Sequence, residues 1–119
     1  IGTRFLVAAE CTVHDNYKKK VIAAKDIDSE VTGRVNGHPV RQIRNKLTRE
    51  YLQMEKQGAS FEEMEHLTLG SLRKAVVEGD VVSGTLMAGQ IAGMVSKEQT
   101  CAEMIAEIMD QAETLLKLK

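Results

Sequence analysis

The chain has 119 residues, of which 43% are hydrophobic and 28% charged, and its formal net charge is -1. This composition is ordinary for one folded domain, and the near-neutral charge argues against nucleic acid or an anionic membrane as a partner. No apolar run reaches the roughly 20 residues that a membrane-spanning helix needs. The two cysteines lie far apart in sequence, suggest no disulfide framework, and favour a reducing, cytoplasmic location.

The first eight residues are predicted to form a buried strand, because the apolar residues 5–8 follow one another without alternation. A single strand cannot satisfy its own backbone groups, so we expect its sheet to lie elsewhere and the chain to be the C-terminal part of a larger protein. Gly2 and Thr3 suit a phosphate, since Gly lets a backbone N–H approach an oxyanion closely and Thr adds a hydroxyl donor. The plain alternative is that this pair begins a turn.

A helix is predicted to follow Cys11, with Thr12 or Asp15 as its cap and an apolar stripe formed by Tyr17, Val21 and Ala24. Residues 26–29 are expected to form a turn, and Val31 and Thr32 a short extended piece that ends at Gly33. The segment 35–39 is irregular, because it contains the only proline and the preceding His38 is biased away from helix.

Two helices are predicted in the middle of the chain. The first covers residues 40–57, because Ile43, Leu47, Tyr51 and Met54 fall on one face, and Gly58 ends it. The second begins with a capping box formed by Ser60 and Glu63, breaks near Gly70 and ends at residues 78–80.

Small residues are concentrated between Gly84 and Gly93, which suits close approach of the backbone to a ligand or to another helix. A long amphipathic helix is predicted from Thr100. Its apolar stripe comprises Cys101, Met104, Ile105, Ile108, Met109, Ala112, Leu115 and Leu116. One strand followed by helices is not an autonomous architecture; it is what remains when a βα barrel, or another sheet, loses most of its strands.

Several segments resemble one enzyme family in the order in which that family has them. They are Gly-Thr-Arg-Phe at 2–5 with Glu-Cys at 10–11, residues 32–34 with 37–41, residues 45–50, residues 75–80, and Met-Ala-Gly-Gln at 87–90. Together they resemble FMN-dependent enoyl-acyl carrier protein reductase II, of the nitronate monooxygenase, or 2-nitropropane dioxygenase-like, TIM-barrel family. The resemblance covers nearly all of the chain.

The resemblance implies an α/β fold, namely the C-terminal fragment of a TIM (β/α)8 barrel with the last barrel strand and a mostly helical C-terminal region. Residues 1–25 would be the last βα unit of the flavin-binding barrel, and residues 26–119 a helical region packing on the barrel and the flavin site. It places Gly2 and Thr3 on the FMN phosphate, and Met87, Gly89 and Gln90 beside the isoalloxazine. For residues 87–90 the alternative is a helix start packed tightly on a neighbour.

The activity implied by the resemblance is reduction of trans-2-enoyl-acyl carrier protein by NADPH or NADH through FMN, in bacterial fatty-acid synthesis. The implied partners are the missing N-terminal part of the same protein and the acyl carrier protein substrate, with a homodimer left open. No catalytic residue and no metal site are expected in this chain. The alternatives are a nitronate monooxygenase on the same barrel and a non-enzymatic helical interaction domain.

The remaining chemically active side chains have plainer interpretations. His38 in its Gly-His-Pro turn could act as an acid, but a turn residue bonded to backbone is the commoner role. The basic residues form either a solvated surface or a docking surface for an acidic partner; they are Arg34, Arg41, Arg44, Lys46 and Arg49. Cys11 and Cys101 have no base beside them in sequence, so core packing is favoured over nucleophilic chemistry.

Overall fold

The structure is a computed structural model that describes residues 1–117; Leu118 and Lys119, which end the predicted region 26–119, lie outside the described residues. In chain order the described elements are α1 (Gly2–Leu6), α2 (Asp15–Ala23), β1 (Ser29–Thr32), β2 (Val40–Ile43), α3 (Lys46–Lys56), α4 (Phe61–Thr68), α5 (Ser71–Arg73) running into a π-helix (Lys74–Glu78), a 3₁₀-helix (Gln90–Met94) and α6 (Cys101–Lys117).

The chain opens with a short helix, so the predicted strand over residues 1–8 is wrong. The N–H groups of Arg4 and Phe5 both donate to the Ile1 carbonyl, at 3.1 and 3.3 Å, which closes the first turn of α1. Extended pairing is limited to Ala8, which forms a parallel bridge with Gln99. The error has a physical reason: a short continuous apolar run is compatible with a buried helical turn as well as with a buried strand.

Helix α2 carries the predicted apolar stripe, since Tyr17, Val21 and Ala24 are all buried. Its predicted caps, Thr12 and Asp15, are wrong. His14 is the N-cap, and its imidazole Nδ1 accepts a hydrogen bond from the Asn16 N–H at 3.0 Å. An unprotonated imidazole nitrogen satisfies one of the free N–H groups of a helix start as a hydroxyl or carboxylate would.

The predicted helix over residues 40–57 begins too early. Residues Val40–Ile43 form strand β2, which pairs antiparallel with β1 so that Ser29 lies opposite Ile43 and Thr32 opposite Val40. Helix α3 then starts at Lys46 with Asn45 as its cap, in a reciprocal capping box with Thr48. The predicted turn at 26–29 leads into β1, and the predicted extended piece at Val31 and Thr32 lies within β1.

The end of α3 and the starts of α4 and α5 lie near the capping and glycine residues that the sequence indicated. Ser60 caps α4 by accepting from the Glu63 N–H at 3.3 Å, and Gly58 and Gly70 take positive φ angles of 73° and 72° where α3 ends and α5 begins. The small-residue segment also approaches backbone closely, as predicted. A Cβ on Gly93 would lie 2.5 Å from the Asp26 nitrogen, and one on Gly84 would lie 2.3 Å from the Asp80 carbonyl oxygen.

One hydrophobic core joins α2, β2, the π-helix and the segment 86–95, and its buried members include Val7, Tyr17, Val21, Ile43, Ala75, Leu86, Ala92 and Val95. Helix α6 is outside this core. Only Met104 of its predicted apolar stripe is buried, while Ile105, Met109, Leu115 and Leu116 are exposed. Among the described residues, no helix combines the length and the apolar character required to cross a bilayer.

Candidate functional site

The start of α1 and the segment 87–90 meet in space, although more than 80 residues separate them in sequence. The Thr3 hydroxyl oxygen accepts a hydrogen bond from the Gly89 N–H at 2.8 Å. A Cβ on Gly89 would lie only 3.1 Å from that hydroxyl oxygen, so the contact leaves little room for a side chain. The structure therefore brings together the two groups of residues that the family resemblance assigns to a flavin.

The segment that contains Met87 is fixed from two sides. On one side it adds to the sheet, because Gln42 and Met87 form an antiparallel bridge and the Ile43 N–H donates to the Leu86 carbonyl at 2.8 Å. On the other side the Tyr17 hydroxyl donates to the Met87 carbonyl at 2.6 Å. Burial raises the pKa of Tyr17 to about 12, so the phenol keeps its proton and remains a donor.

Several polar groups of this region are left free for a ligand within the described part of the chain. The N–H groups of Gly2 and Thr3 belong to the first turn of α1 and have no partner inside the helix. Gly2 is exposed, and a Cβ added to it would have no atom within 4 Å. Gln90 is exposed at the start of the 3₁₀-helix, and Met87 is 40% exposed.

These groups suit the two polar ends of FMN. Adjacent backbone N–H groups at a helix start bind phosphate oxygens well, and an amide side chain can donate to and accept from the pyrimidine edge of a flavin. Gly2, Thr3 and Gln90 fit this chemistry, and the Met87 side chain adds an exposed apolar surface. The Gly89 N–H is already bonded to the Thr3 hydroxyl, so Gly89 has no free N–H to offer a flavin.

Met87 also borders a cleft of about 310 Å³ that the sequence did not predict. The cleft has a mixed polar and apolar lining, which includes the buried polar residues Thr32, Gln42, Ser71 and Thr85. Gln42 donates to the Thr32 hydroxyl at 2.8 Å, but its own Oε1 is buried without a partner among the described residues. The sequence gives no indication that Gln42 lines a cleft, because its pattern predicts a helix over residues 40–57 where the structure has strand β2.

Of the other sequence candidates, His38 lines the same cleft as Met87, whereas the five basic residues and the two cysteines do not line it. His38 is exposed in its turn, its N–H donates to the Gly33 carbonyl at 3.0 Å, and this agrees with the turn interpretation. Two of the basic residues are held within the sheet: Arg41 donates to the Ser29 hydroxyl at 3.0 Å, and Arg44 pairs with Glu30 at 3.4 Å.

The cysteines are free and half-buried. Within residues 1–117, no group of three or more His, Cys, Asp or Glu side chains is arranged to hold a metal ion.

Comparison with known proteins places this geometry in context. The family model described as nitronate monooxygenase matches residues 1–111. Among solved structures, FabK from Thermotoga maritima superposes with a TM-score of 0.89 at 38% identity, over 98% of this chain and 37% of that chain. A mutant of the same FabK gives a TM-score of 0.79 at 35% identity, over 98% and 34% of the two chains.

Two curated relatives are each 26% identical to the chain. One is a 5-hydroxy-7a-methyl-1-oxo-octahydro-1H-indene-4-carboxyl-CoA dehydrogenase of Mycobacterium tuberculosis, with 98% of this chain and 43% of that protein covered. The other is a probable nitronate monooxygenase of Bacillus subtilis, with 93% and 32% covered. The chain therefore spans less than half the length of the relatives it matches. The FabK match confirms the predicted fold class, a fragment of an α/β TIM barrel with a mostly helical region.

Proposed function

The chain belongs to the nitronate monooxygenase family, and we propose that it forms one wall of the FMN site in an enoyl-acyl carrier protein reductase. The contact between Thr3 and Gly89 carries this proposal, because it joins both predicted flavin segments in one place. The choice of reductase is supported by the higher identity to FabK, an enoyl-acyl carrier protein reductase II, at 38%, against 26% to the probable nitronate monooxygenase.

In this proposal each site residue has a separate task. The N–H groups of Gly2 and Thr3 hold the FMN phosphate, while the Thr3 hydroxyl fixes the position of Gly89. Met87 and Gln90 then border the isoalloxazine, where the Gln90 amide can bond to the pyrimidine edge. The backbone of Met87 is held by Tyr17 and by β2, so its side chain is presented from a fixed position.

FMN, when bound, supplies the hydride chemistry between NADPH or NADH and the trans-2-enoyl thioester. The residues of this chain act by binding and orienting FMN. They hold its phosphate and the edge of its isoalloxazine ring, and they form one wall of the FMN site. The substrate would be carried by acyl carrier protein. We assign no catalytic residue to the chain, because Gly2, Thr3 and residues 87–90 include no His, Asp, Glu, Lys, Tyr or Cys that could act as a general acid or base.

The first experiment replaces Thr3 by valine in the purified flavoprotein. Thr3→Val keeps the shape but leaves the Gly89 N–H without its acceptor, so we expect FMN affinity to fall by between about 5- and 100-fold. Affinity is measured by titrating the apoprotein with FMN and following flavin fluorescence. Thr12→Val is the matched control, since Thr12 is exposed and lies outside the site. Equal affinities in the two variants would contradict the assignment.

Gly2→Ala tests the phosphate contact separately. The structure leaves space for the added methyl, so the thermal midpoint of the apoprotein should stay unchanged. We nevertheless expect weaker FMN binding, because a Cβ beside the N–H groups would block the approach of the phosphate. The same loss should not appear with riboflavin, which has no phosphate. Equal loss for riboflavin and FMN would exclude a phosphate role for Gly2.

A nitronate monooxygenase activity on the same barrel is the second candidate, favoured by the family model and the Bacillus subtilis relative. Two reactions separate the activities: crotonyl thioester is added to the anaerobically reduced flavin, and a nitronate is added to the oxidised flavin in the presence of O2, which the monooxygenase reaction consumes. Reoxidation by the thioester alone supports the reductase. If a nitronate is turned over and the thioester gives no response, the proposed reductase activity is wrong and the protein is a nitronate monooxygenase. The assignment of the flavin-binding residues would still stand.

A further inference from the structure

The fold brings the two cysteines onto neighbouring segments, although 90 positions separate them in sequence. Ala8 and Gln99 form a parallel bridge, and the Ala9 N–H donates to the Gln99 carbonyl at 2.8 Å. Two residues beyond Gln99, the Cys101 N–H donates to the Glu10 carboxylate at 3.0 and 3.2 Å. The two segments are thus joined at residues 8–10 on one side and 99–101 on the other.

A tight turn then directs Cys11 back toward this junction. The Cys11 N–H donates to the Ala8 carbonyl at 3.0 Å, so residues 8–11 close a hydrogen-bonded turn. A turn of this kind keeps its first and last Cα atoms within about 7 Å, and Ala8 is the residue bridged to Gln99. Both thiols are half-buried, and both are free. Cys11 thus follows Glu10, whose carboxylate accepts from the N–H of Cys101, the first residue of α6.

The start of α6 is the part of this helix that contacts the rest of the described chain. Beyond Met104 the predicted apolar stripe of this helix is not buried. Its further ties to the rest of the described chain are polar and close to its start, such as the ion pair of Arg4 and Glu107 at 3.0 Å. A bond at Cys101 would fix the helix to the segment that follows α1.

We propose that Cys11 and Cys101 form a reversible disulfide that links the start of α6 to the turn after α1. The oxidant is a small disulfide such as oxidised glutathione. One cysteine thiolate attacks it, forms a mixed disulfide and releases one glutathione thiolate. The second cysteine thiolate then attacks the protein sulfur of that mixed disulfide and releases the second glutathione. Two protein thiols and one oxidised glutathione thus give one protein disulfide and two reduced glutathiones.

The test is peptide mapping of the natively produced protein after equilibration with oxidised and reduced glutathione. Free thiols are alkylated, and trypsin is applied without reductant. Cys11 lies in the tryptic peptide 5–18 and Cys101 in the peptide 98–117. We expect these two peptides as one linked species, about 2 Da lighter than their sum and separated by dithiothreitol. Cys11→Ser and Cys101→Ser should each abolish it and lower the thermal midpoint of the oxidised protein to that of the reduced protein.

Two results would overturn the proposal. One is that both peptides carry separate alkyl groups or glutathione at every redox ratio. The other is that the cysteines are linked only between two copies of the chain, seen as a dimer on a non-reducing gel.

A rate measurement supplies a second readout that needs no cysteine variant. Burial, with the Glu10 carboxylate nearby, raises the pKa of the Cys101 thiol. Formation of the linked species should therefore accelerate with rising pH, because more Cys101 is present as thiolate. Glu10→Gln keeps an acceptor for the Cys101 N–H and removes the negative charge, so we expect it to form the link several-fold faster at neutral pH. An unchanged rate would contradict the predicted effect of the Glu10 carboxylate on the Cys101 thiol.

Discussion

Among single residues, Tyr17 gives the sharpest pH prediction. Its pKa is raised by burial to about 12, so the folded protein keeps the phenol proton to a higher pH than the unfolded chain does, whose phenol has its ordinary pKa of about 10. The contribution of this group to stability is therefore complete below about pH 10 and is lost as the pH rises toward about 12. Tyr17→Phe should remove this part of the alkaline destabilisation.

The measurement is the free energy of unfolding in urea, for wild type and Tyr17→Phe, between about pH 8 and about pH 11.5. At the lower end the variant should be less stable by about 1 kcal/mol, because the Met87 carbonyl loses its donor. The gap should narrow as the pH rises. Taking the difference between the two proteins cancels the titration of the lysines. Two parallel curves over this range would contradict the prediction.

The residue contacts also show what the sequence can and cannot predict. The burial of Tyr17 followed from its place on an apolar stripe, but its bond to Met87, 70 positions away, did not. The same holds for Thr3 and Gly89: the sequence and its family resemblance named both residues, and only the fold shows that they bind each other. Local patterns indicate which side chains are buried, whereas partners distant in sequence are set by tertiary packing.

At the scale of elements, the start of α3 depends on Asn45. Its side chain accepts from the Thr48 N–H at 3.1 Å, and it donates to the carbonyls of Val81 and Gly84 at 3.0 and 2.8 Å. Asn45→Ala should therefore remove a helix cap and also leave two carbonyls without donors, which we expect to cost about 3 kcal/mol. Chemical denaturation of the variant measures this cost directly.

Ser60→Ala is the matched control, because Ser60 caps α4 at an exposed position and makes a single side-chain hydrogen bond there. We expect it to cost about 1 kcal/mol or less. If the two variants were equally destabilised, Asn45 would act only as a cap, and the link from α3 to residues 81–84 would contribute nothing to stability.

The misplaced start of α3 has a physical cause in the segment 40–45. Ile43 precedes Leu47 and Tyr51 at the four-residue spacing of a helical apolar stripe. The helical pattern in the sequence therefore extends upstream of Asn45, the N-cap of α3. The cap at Asn45 lies inside this predicted helix, and its capping box with Thr48 is seen only in the fold. Pairing with β1 decided the conformation of Val40–Ile43, and a pairing partner cannot be read from one segment alone.

At the scale of the whole molecule, the sequence predicted α6 correctly as a helix but could not supply what covers its apolar face. Ile105, Met109, Leu115 and Leu116 are between 54% and 70% exposed. A contiguous apolar surface of this kind marks a site of contact with another polypeptide or a liability for aggregation. Since the chain spans 37% of the length of FabK, the barrel of the same protein is the partner that we expect on this face.

This expectation separates the barrel interpretation from a self-sufficient helical interaction domain. The 119-residue polypeptide produced alone should self-associate and lack flavin, because the exposed stripe has no cover. The double substitution Ile105→Lys and Met109→Lys should shift it toward monomers in light scattering. Ala106→Lys with Thr114→Lys adds equal charge at exposed positions outside the stripe and should not. In the full-length protein the first pair should instead lower the thermal midpoint. A 119-residue chain that is monodisperse and melts cooperatively would favour the interaction domain. Such a chain would be stable without a barrel to cover the apolar stripe of α6.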